Sequence, residues 1–155
     1  MSYQDSNTAE IVQKFREGKA EVFALVFHQF YLEVCFFAKR IIDKPRIAEK
    51  IVENAFIDCW SLHQQMESWI DIKAFLYKNV RDACLGFIDS DQQGINDDGM
   101  VLYAWKEATQ FMEKEMSRPR PLKEIPFNLI TSLPPMARKI LHQYSPSGSG
   151  NEEMT

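Results

Sequence analysis

Apolar side chains recur every three or four residues along most of this chain, which is the spacing of helices that bury one face. No segment shows the apolar–polar alternation of a half-buried strand. Gly18 follows the first periodic segment, at a position where glycine commonly ends a helix. The pattern predicts helices over Thr8–Glu17, Ala20–Ile42, Arg46–Leu62, Ile72–Ile88 and Met100–Met116, and two shorter ones over Leu122–Ser132 and Pro134–Tyr144. The predicted fold class is therefore an all-α helical bundle.

Three breaks in composition divide the periodic segments. Asp89–Gly99 is acidic and contains two glycines, Arg118–Pro121 reads RPRP, and the chain from Ser145 is rich in serine and glycine. Such stretches are typical of linkers and loops. They predict a helical domain over residues 1–92, a linker with one helix over 93–121, and a short helical segment over 122–155.

Composition narrows the class of protein. The 155 residues are 45% hydrophobic, with 18 basic and 22 acidic residues and a net charge of −4. This is enough apolar material for a core, and it excludes a surface that is positive overall. The longest apolar runs are soon broken by charge, so no membrane span is predicted. Three cysteines lie among apolar neighbours, and buried, reduced thiols indicate a cytoplasmic protein.

The residues give no positive sign of catalysis. Cys59 and His63 are four residues apart, but a structural zinc site needs four ligands and no second pair completes it. The segment from Asp89 resembles a calcium loop, yet its twelfth residue is Met100 instead of the closing glutamate. We expect a binding protein without enzymatic activity, metal or cofactor. A helical enzyme is a further possibility, which a metal ion bound to the purified protein would favour.

The helix predicted over Arg46–Leu62 carries two large apolar residues, Ile57 and Trp60, on its otherwise polar half. Apolar residues inside a charged rim are typical of a protein-binding surface. The alternative is that the first predicted helix or the Met100–Met116 segment covers them. The polar half is otherwise formed by Glu49, Lys50, Glu53, Asn54 and Ser61.

The helix predicted over Ile72–Ile88 places Lys73, Tyr77 and Arg81 at successive four-residue intervals. Two cations beside an aromatic ring suit a nucleic-acid backbone with a base against the ring. The alternative is a solvated edge with extended basic side chains, which the spacing alone favours. Lys78 is expected to pair with Asp82.

Three motifs and a terminal pentapeptide together indicate a family. They are AEKIVENAFIDCW (Ala48–Trp60), IKAFLYKNVRDACLGFID (Ile72–Asp89), LPPMARKIL (Leu133–Leu141) and NEEMT (Asn151–Thr155). Their order resembles that of bacterial RNA polymerase sigma factors of the extracytoplasmic-function group. The resemblance implies that residues 1–92 form a helical domain like sigma region two, and that residues 122–155 are part of a domain like region four.

The resemblance also implies two partners. The first is core RNA polymerase, whose largest subunit would present its clamp helices to Glu49, Lys50, Glu53, Asn54, Ile57 and Trp60. The second is the minus-ten element of promoter DNA, with a flipped base, which would meet Gln64, Gln65, Trp69, Lys73, Tyr77, Lys78 and Arg81. An anti-sigma factor is a further partner that the family allows.

Several positions depart from the family pattern. Lys50 and Glu53 replace an acid and a glutamine, Asp82 replaces an asparagine, and Gly86 and Asp89 replace an acid and an arginine. Residues 68–91 contain three cations and four anions, a net charge of 3 − 4 = −1, which is unfavourable against phosphates. We also expect region four to be truncated, because a helix-turn-helix needs about 20 residues beyond the last motif.

Two hypotheses about function follow. The first is a transcription initiation factor that binds polymerase and directs promoter recognition and opening. The second is a degenerate, sigma-like interaction module that binds polymerase or another regulator without reading DNA.

Overall fold

The computed structural model describes residues 3–91, 98–118, 122 and 128–144 of the chain. The regular structure within these residues is helical, which confirms the predicted all-α bundle. Six α-helices and one short 3-10 helix follow one another along the chain: α1 (Tyr3–Arg16), α2 (Ala20–Ile41), α3 (Pro45–Ser61), the 3-10 helix (His63–Gln65), α4 (Trp69–Asp91), α5 (Asp98–Ser117) and α6 (Pro135–Tyr144).

The core lies among α2, α3 and α4, each of which packs against the other two. α2 is rich in phenylalanine, and Phe23, Phe27, Phe30 and Phe37 are all buried. Burying a side chain of this size contributes about 1.5–3 kcal/mol. α5 packs on α4, and α6 packs on α2 and α3. α4 thus packs against both α3 and α5. These two contacts decide which of its faces is left for solvent.

Local sequence explains where the helices begin and end. Gly18 has a φ of 78°, the left-handed conformation that glycine adopts most easily, as its position after the first helix predicts. α4 begins at Trp69, three residues before the predicted start. The Ser68 Oγ accepts the Asp71 N–H at 3.1 Å, and the Asp71 carboxylate accepts the Glu67 N–H at 3.1 Å. These bonds satisfy backbone donors that the start of a helix leaves free.

The last helix belongs to the same core as the first domain. Leu133, Ala137 and Ile140 are buried together with side chains of α2 and α3. Of the segment predicted to be helical over Leu122–Ser132, residues 123–127 lie outside the described part, and Asn128–Ser132 forms a turn. Residues 92–97 of the predicted acidic linker also lie outside it.

α2 is the one described helix that is long and apolar enough, by length and composition alone, to cross a membrane. Its most apolar window is 56% buried inside the bundle. A buried core helix meets the same criteria of length and composition. α2 packs against both α3 and α4, as a core helix does.

All three cysteines are buried as free thiols. Burial raises the pKa of the Cys59 thiol and of the Cys84 thiol to about 12, because a low-dielectric environment disfavours the thiolate. Burial likewise raises the pKa of the Cys35 thiol.

Since the thiolate is the reactive form, we expect the native protein to resist alkylation by iodoacetamide at pH 8 and to react at all three cysteines once unfolded in urea. Rapid modification of the folded protein in a mass-spectrometric time course would contradict this.

Candidate functional site

The solvent-facing side of α3 is charged and only partly apolar. Glu49, Lys50 and Asn54 are exposed, whereas Glu53 and Ile57 are half-buried. Ion pairs join Lys39 to Glu49 (3.1 Å) and Lys50 to Glu53 (3.7 Å). We call Glu49, Lys50, Glu53, Asn54 and Ile57 the α3 face. Five of the six residues predicted to bind polymerase thus share one surface.

Trp60, the sixth, lies in the core. Its side chain is 0% exposed, and its ring centroid is 5.1 Å from that of Phe15 in α1 and 5.1 Å from that of Phe23 in α2. The prediction that Trp60 forms an exposed anchor is therefore wrong. The alternative, that the first helix covers it, is confirmed for Trp60, because Phe15 of α1 packs against the indole ring.

The 3-10 helix after α3 is attached to α1. His63 is buried, and its Nδ1 lies 3.1 Å from the Phe15 carbonyl oxygen, so Nδ1–H is the donor. Arg16 donates to the Met66 carbonyl oxygen at 3.0 Å. Gln64 and Gln65, which were predicted to contact DNA, are exposed on this short helix.

Two other residues of the predicted DNA-binding set have different environments. Trp69 is half-buried, with its ring 5.0 Å from that of Phe30. Lys78 is exposed. Its predicted pairing with Asp82 is wrong, because Asp82 pairs with its neighbour Arg81 at 3.0 Å.

Lys73, the first residue of the predicted stripe, is buried beneath α5. Its ammonium donates to the Glu115 carbonyl oxygen at 2.9 Å and lies 4.0 Å from the Glu115 carboxylate. Both side chains are 7% exposed. Because a buried charge requires a partner, this contact fixes the C-terminal part of α5 to the start of α4.

Tyr77 and Arg81, the rest of the stripe, are buried as well. The Tyr77 hydroxyl donates to the Glu33 carboxylate at 2.9 Å. Arg81 donates to Asp82 at 3.0 Å, and its guanidinium lies 4.4 Å from the centroid of the Trp105 ring. The interpretation of the stripe as a solvated edge is wrong, because all three side chains are buried. Their contact with DNA stays a prediction.

Sequence reasoning missed the exposed apolar residues elsewhere. Leu32 and Phe36 on α2 are 71% and 58% exposed, and Leu102 and Trp105 on α5 are 63% and 42% exposed. The signal was available for α2, since Leu32 and Phe36 are four residues apart and lie outside the apolar face of that helix. α5 gave no comparable signal, because its apolar positions are spread around the helix.

The described residues contain no group of three or more histidine, cysteine, aspartate or glutamate side chains arranged to hold a metal ion. Comparison with protein-family models, with curated proteins and with solved structures gives no match.

Proposed function

We propose that this protein is a non-enzymatic interaction module, sigma-like in organisation, that binds core RNA polymerase in the cytoplasm through the α3 face and does not read promoter DNA through α4. The observation that carries the proposal is the contrast between two helices. The α3 face leaves Glu49, Lys50 and Asn54 exposed. The stripe on α4 is buried, because α5 contacts Lys73 and Arg81 and α2 contacts Tyr77.

The chemistry of DNA binding supports this choice. Affinity for a nucleic-acid backbone depends on lysine and arginine side chains that release counterions from phosphates. Lys73 and Arg81 already bind Glu115 and Asp82, and Tyr77 already donates to Glu33. Of the predicted DNA-binding cations, Lys78 is exposed, and one cation supplies little of that driving force.

The α3 face suits a protein partner that is itself charged. Its ion pairs are solvent-exposed at three of their four ends, with side-chain exposures of 43% and 49% for one pair and of 66% and 22% for the other. Exposed pairs contribute little to stability, so their charges remain available to a partner. Ile57 supplies a partly buried apolar centre between Glu53 and Asn54.

We expect Asn54→Arg to weaken binding to core RNA polymerase at least about ten-fold, which corresponds to about 1.4 kcal/mol. The substitution places a bulky charge in the middle of the α3 face without disturbing a buried residue. Calorimetric titration into the isolated clamp helices of the polymerase largest subunit, and into the core enzyme, measures it.

The matched control is Gln110→Arg, which makes the same chemical change at an exposed position of α5. It is expected to bind like the unmodified protein. Equal binding by Asn54→Arg would place the contact elsewhere, and no binding by the folded, unmodified protein would refute the proposal.

A promoter-directing sigma factor is the second candidate. The observation in its favour is that Lys73, Tyr77 and Arg81 share one face of α4, as promoter reading would need. They can meet DNA only if α5 leaves α4, which would break the buried contact between Lys73 and Glu115, and if Tyr77 also leaves Glu33 of α2. Promoter-dependent transcription by core polymerase with this protein would establish this function, whereas polymerase binding without transcription supports the module.

A further inference from the structure

An open groove lies between the C-terminal part of α4 and the N-terminal part of α5. Its volume is about 540 Å³. On α4, Asp82, Leu85, Gly86 and Asp89 follow the spacing of a single helix face. The groove is lined by these four residues and by Val101, Leu102 and Trp105 of α5.

The middle of the groove is apolar and shallow. Leu102 and Trp105 leave 63% and 42% of their surface to solvent, whereas Leu85 is buried. Gly86 opens the space between the helices, because a Cβ added there would meet no atom within 4 Å. A small molecule is usually enclosed over about 70–90% of its surface. This open shape is better suited to a side chain that projects from a larger partner.

The rim of the groove is negatively charged. Asp82 and Asp89 are among the residues that line the groove, and none of the lining residues is a lysine, arginine or histidine. Asp82 bonds to Arg81 on the buried side of α4. Asp89 is exposed and forms no ion pair within the described residues. A partner with cationic side chains beside its apolar residue would therefore complement the rim.

The two walls of the groove run antiparallel, because Lys73 contacts Glu115 near one end of the helix pair and Arg81 contacts Trp105 towards the other. A groove between two helices is a common receptor for the apolar face of a third. We propose that this groove binds a basic amphipathic helix of a partner protein, which inserts a large apolar side chain over Gly86 and places lysine or arginine beside Asp82 and Asp89. The site is independent of the proposed polymerase contact, because its residues lie on α4 and α5 and not on α3.

The test uses the full chain and a fluorescein-labelled synthetic helix that carries leucine and phenylalanine on one face and lysines beside them. We expect a saturable rise in fluorescence anisotropy that weakens as salt screens the charges. Gly86→Leu should weaken binding at least about ten-fold by filling the groove. The same substitution should preserve or raise the stability of the fold, since glycine inside a helix costs about 1 kcal/mol relative to alanine.

Charge is tested with Asp89→Lys and with Asp58→Lys, which makes the same change at an exposed position of α3. The first should weaken binding several-fold more than the second. A peptide with alanine in place of leucine and phenylalanine, and one with glutamate in place of lysine, should both fail to bind. Unchanged binding by Gly86→Leu, equal losses in the two charge variants, or no saturable signal from the basic peptide would overturn the proposal. None of these outcomes bears on polymerase binding.

Discussion

Replacing Trp60 with alanine is expected to lower the free energy of unfolding by about 3–5 kcal/mol. The indole is fully buried, and its ring contacts those of Phe15, Phe23 and His63. Alanine would leave a cavity where α1, α2 and α3 meet. Because a domain of this size is stable by only about 5–15 kcal/mol, a large part of the population should unfold at mild urea concentrations, as followed by far-ultraviolet circular dichroism.

Two further variants show whether the lost stability comes from the cavity that Trp60→Ala leaves in the core. The Trp60 Nε1 is buried and has no hydrogen-bond partner within the described residues, so Trp60→Phe removes volume without removing a hydrogen bond. It should cost about 1–2 kcal/mol, in the range of moderate core changes. Trp105→Ala, at a residue that is 42% exposed, should cost about 1 kcal/mol or less through its lost contact with Arg81. If Trp60→Ala unfolded at the same urea concentration as the unmodified protein, the indole would be exposed and the original prediction for α3 would stand.

The helices themselves could be predicted from the sequence because their apolar faces repeat regularly. α2 and α3 begin and end within one residue of the expected positions. α4 was predicted to start at Ile72 and starts at Trp69, since the bonds between Ser68, Asp71 and Glu67 extend it by most of a turn. Such caps depend on side-chain geometry, which periodicity does not describe.

The environment of Trp60 could not be predicted because a helix pattern describes one helix at a time. Trp60 lies one turn beyond Phe56, at the edge of the apolar face, and α1 decides whether that edge is covered. Phe15 provides the cover from 45 positions earlier in the chain. The same limit applies to Lys73, whose partner Glu115 is 42 positions away.

The stripe on α4 shows that spacing identifies a face but not its partner. Lys73, Tyr77 and Arg81 do lie along one face, as predicted, and three other side chains satisfy them. Asp82, Gly86 and Asp89, noted in the sequence as departures from the sigma pattern, line one groove. The sequence motif therefore located both the stripe and the groove side of α4. It did not show which of the two is covered by other helices, or whether a contact there is structural or functional.

Replacing Lys73 with methionine is expected to lower the free energy of unfolding by about 3 kcal/mol, near the lower end of the cost of removing one partner of a buried ion pair. The change leaves the Glu115 carboxylate, whose side chain is 7% exposed, without its ammonium partner. Arg118 lies 3.9 Å from that carboxylate and should limit the loss. The midpoint of urea unfolding measures it, with Lys78→Met as the control at an exposed position of the same helix, where a change within about 0.5 kcal/mol is expected.

The double variant Lys73→Met with Glu115→Leu decides what the pair contributes. Apolar residues of similar size often replace a buried ion pair without loss of stability, so the double variant should recover most of what Lys73→Met loses. That recovery would identify the contact as a structural joint between α4 and α5. If Lys73→Met were instead as mild as Lys78→Met, Lys73 would be solvated in solution, α5 would not hold it, and the stripe would be free to meet phosphates as the sigma resemblance implies.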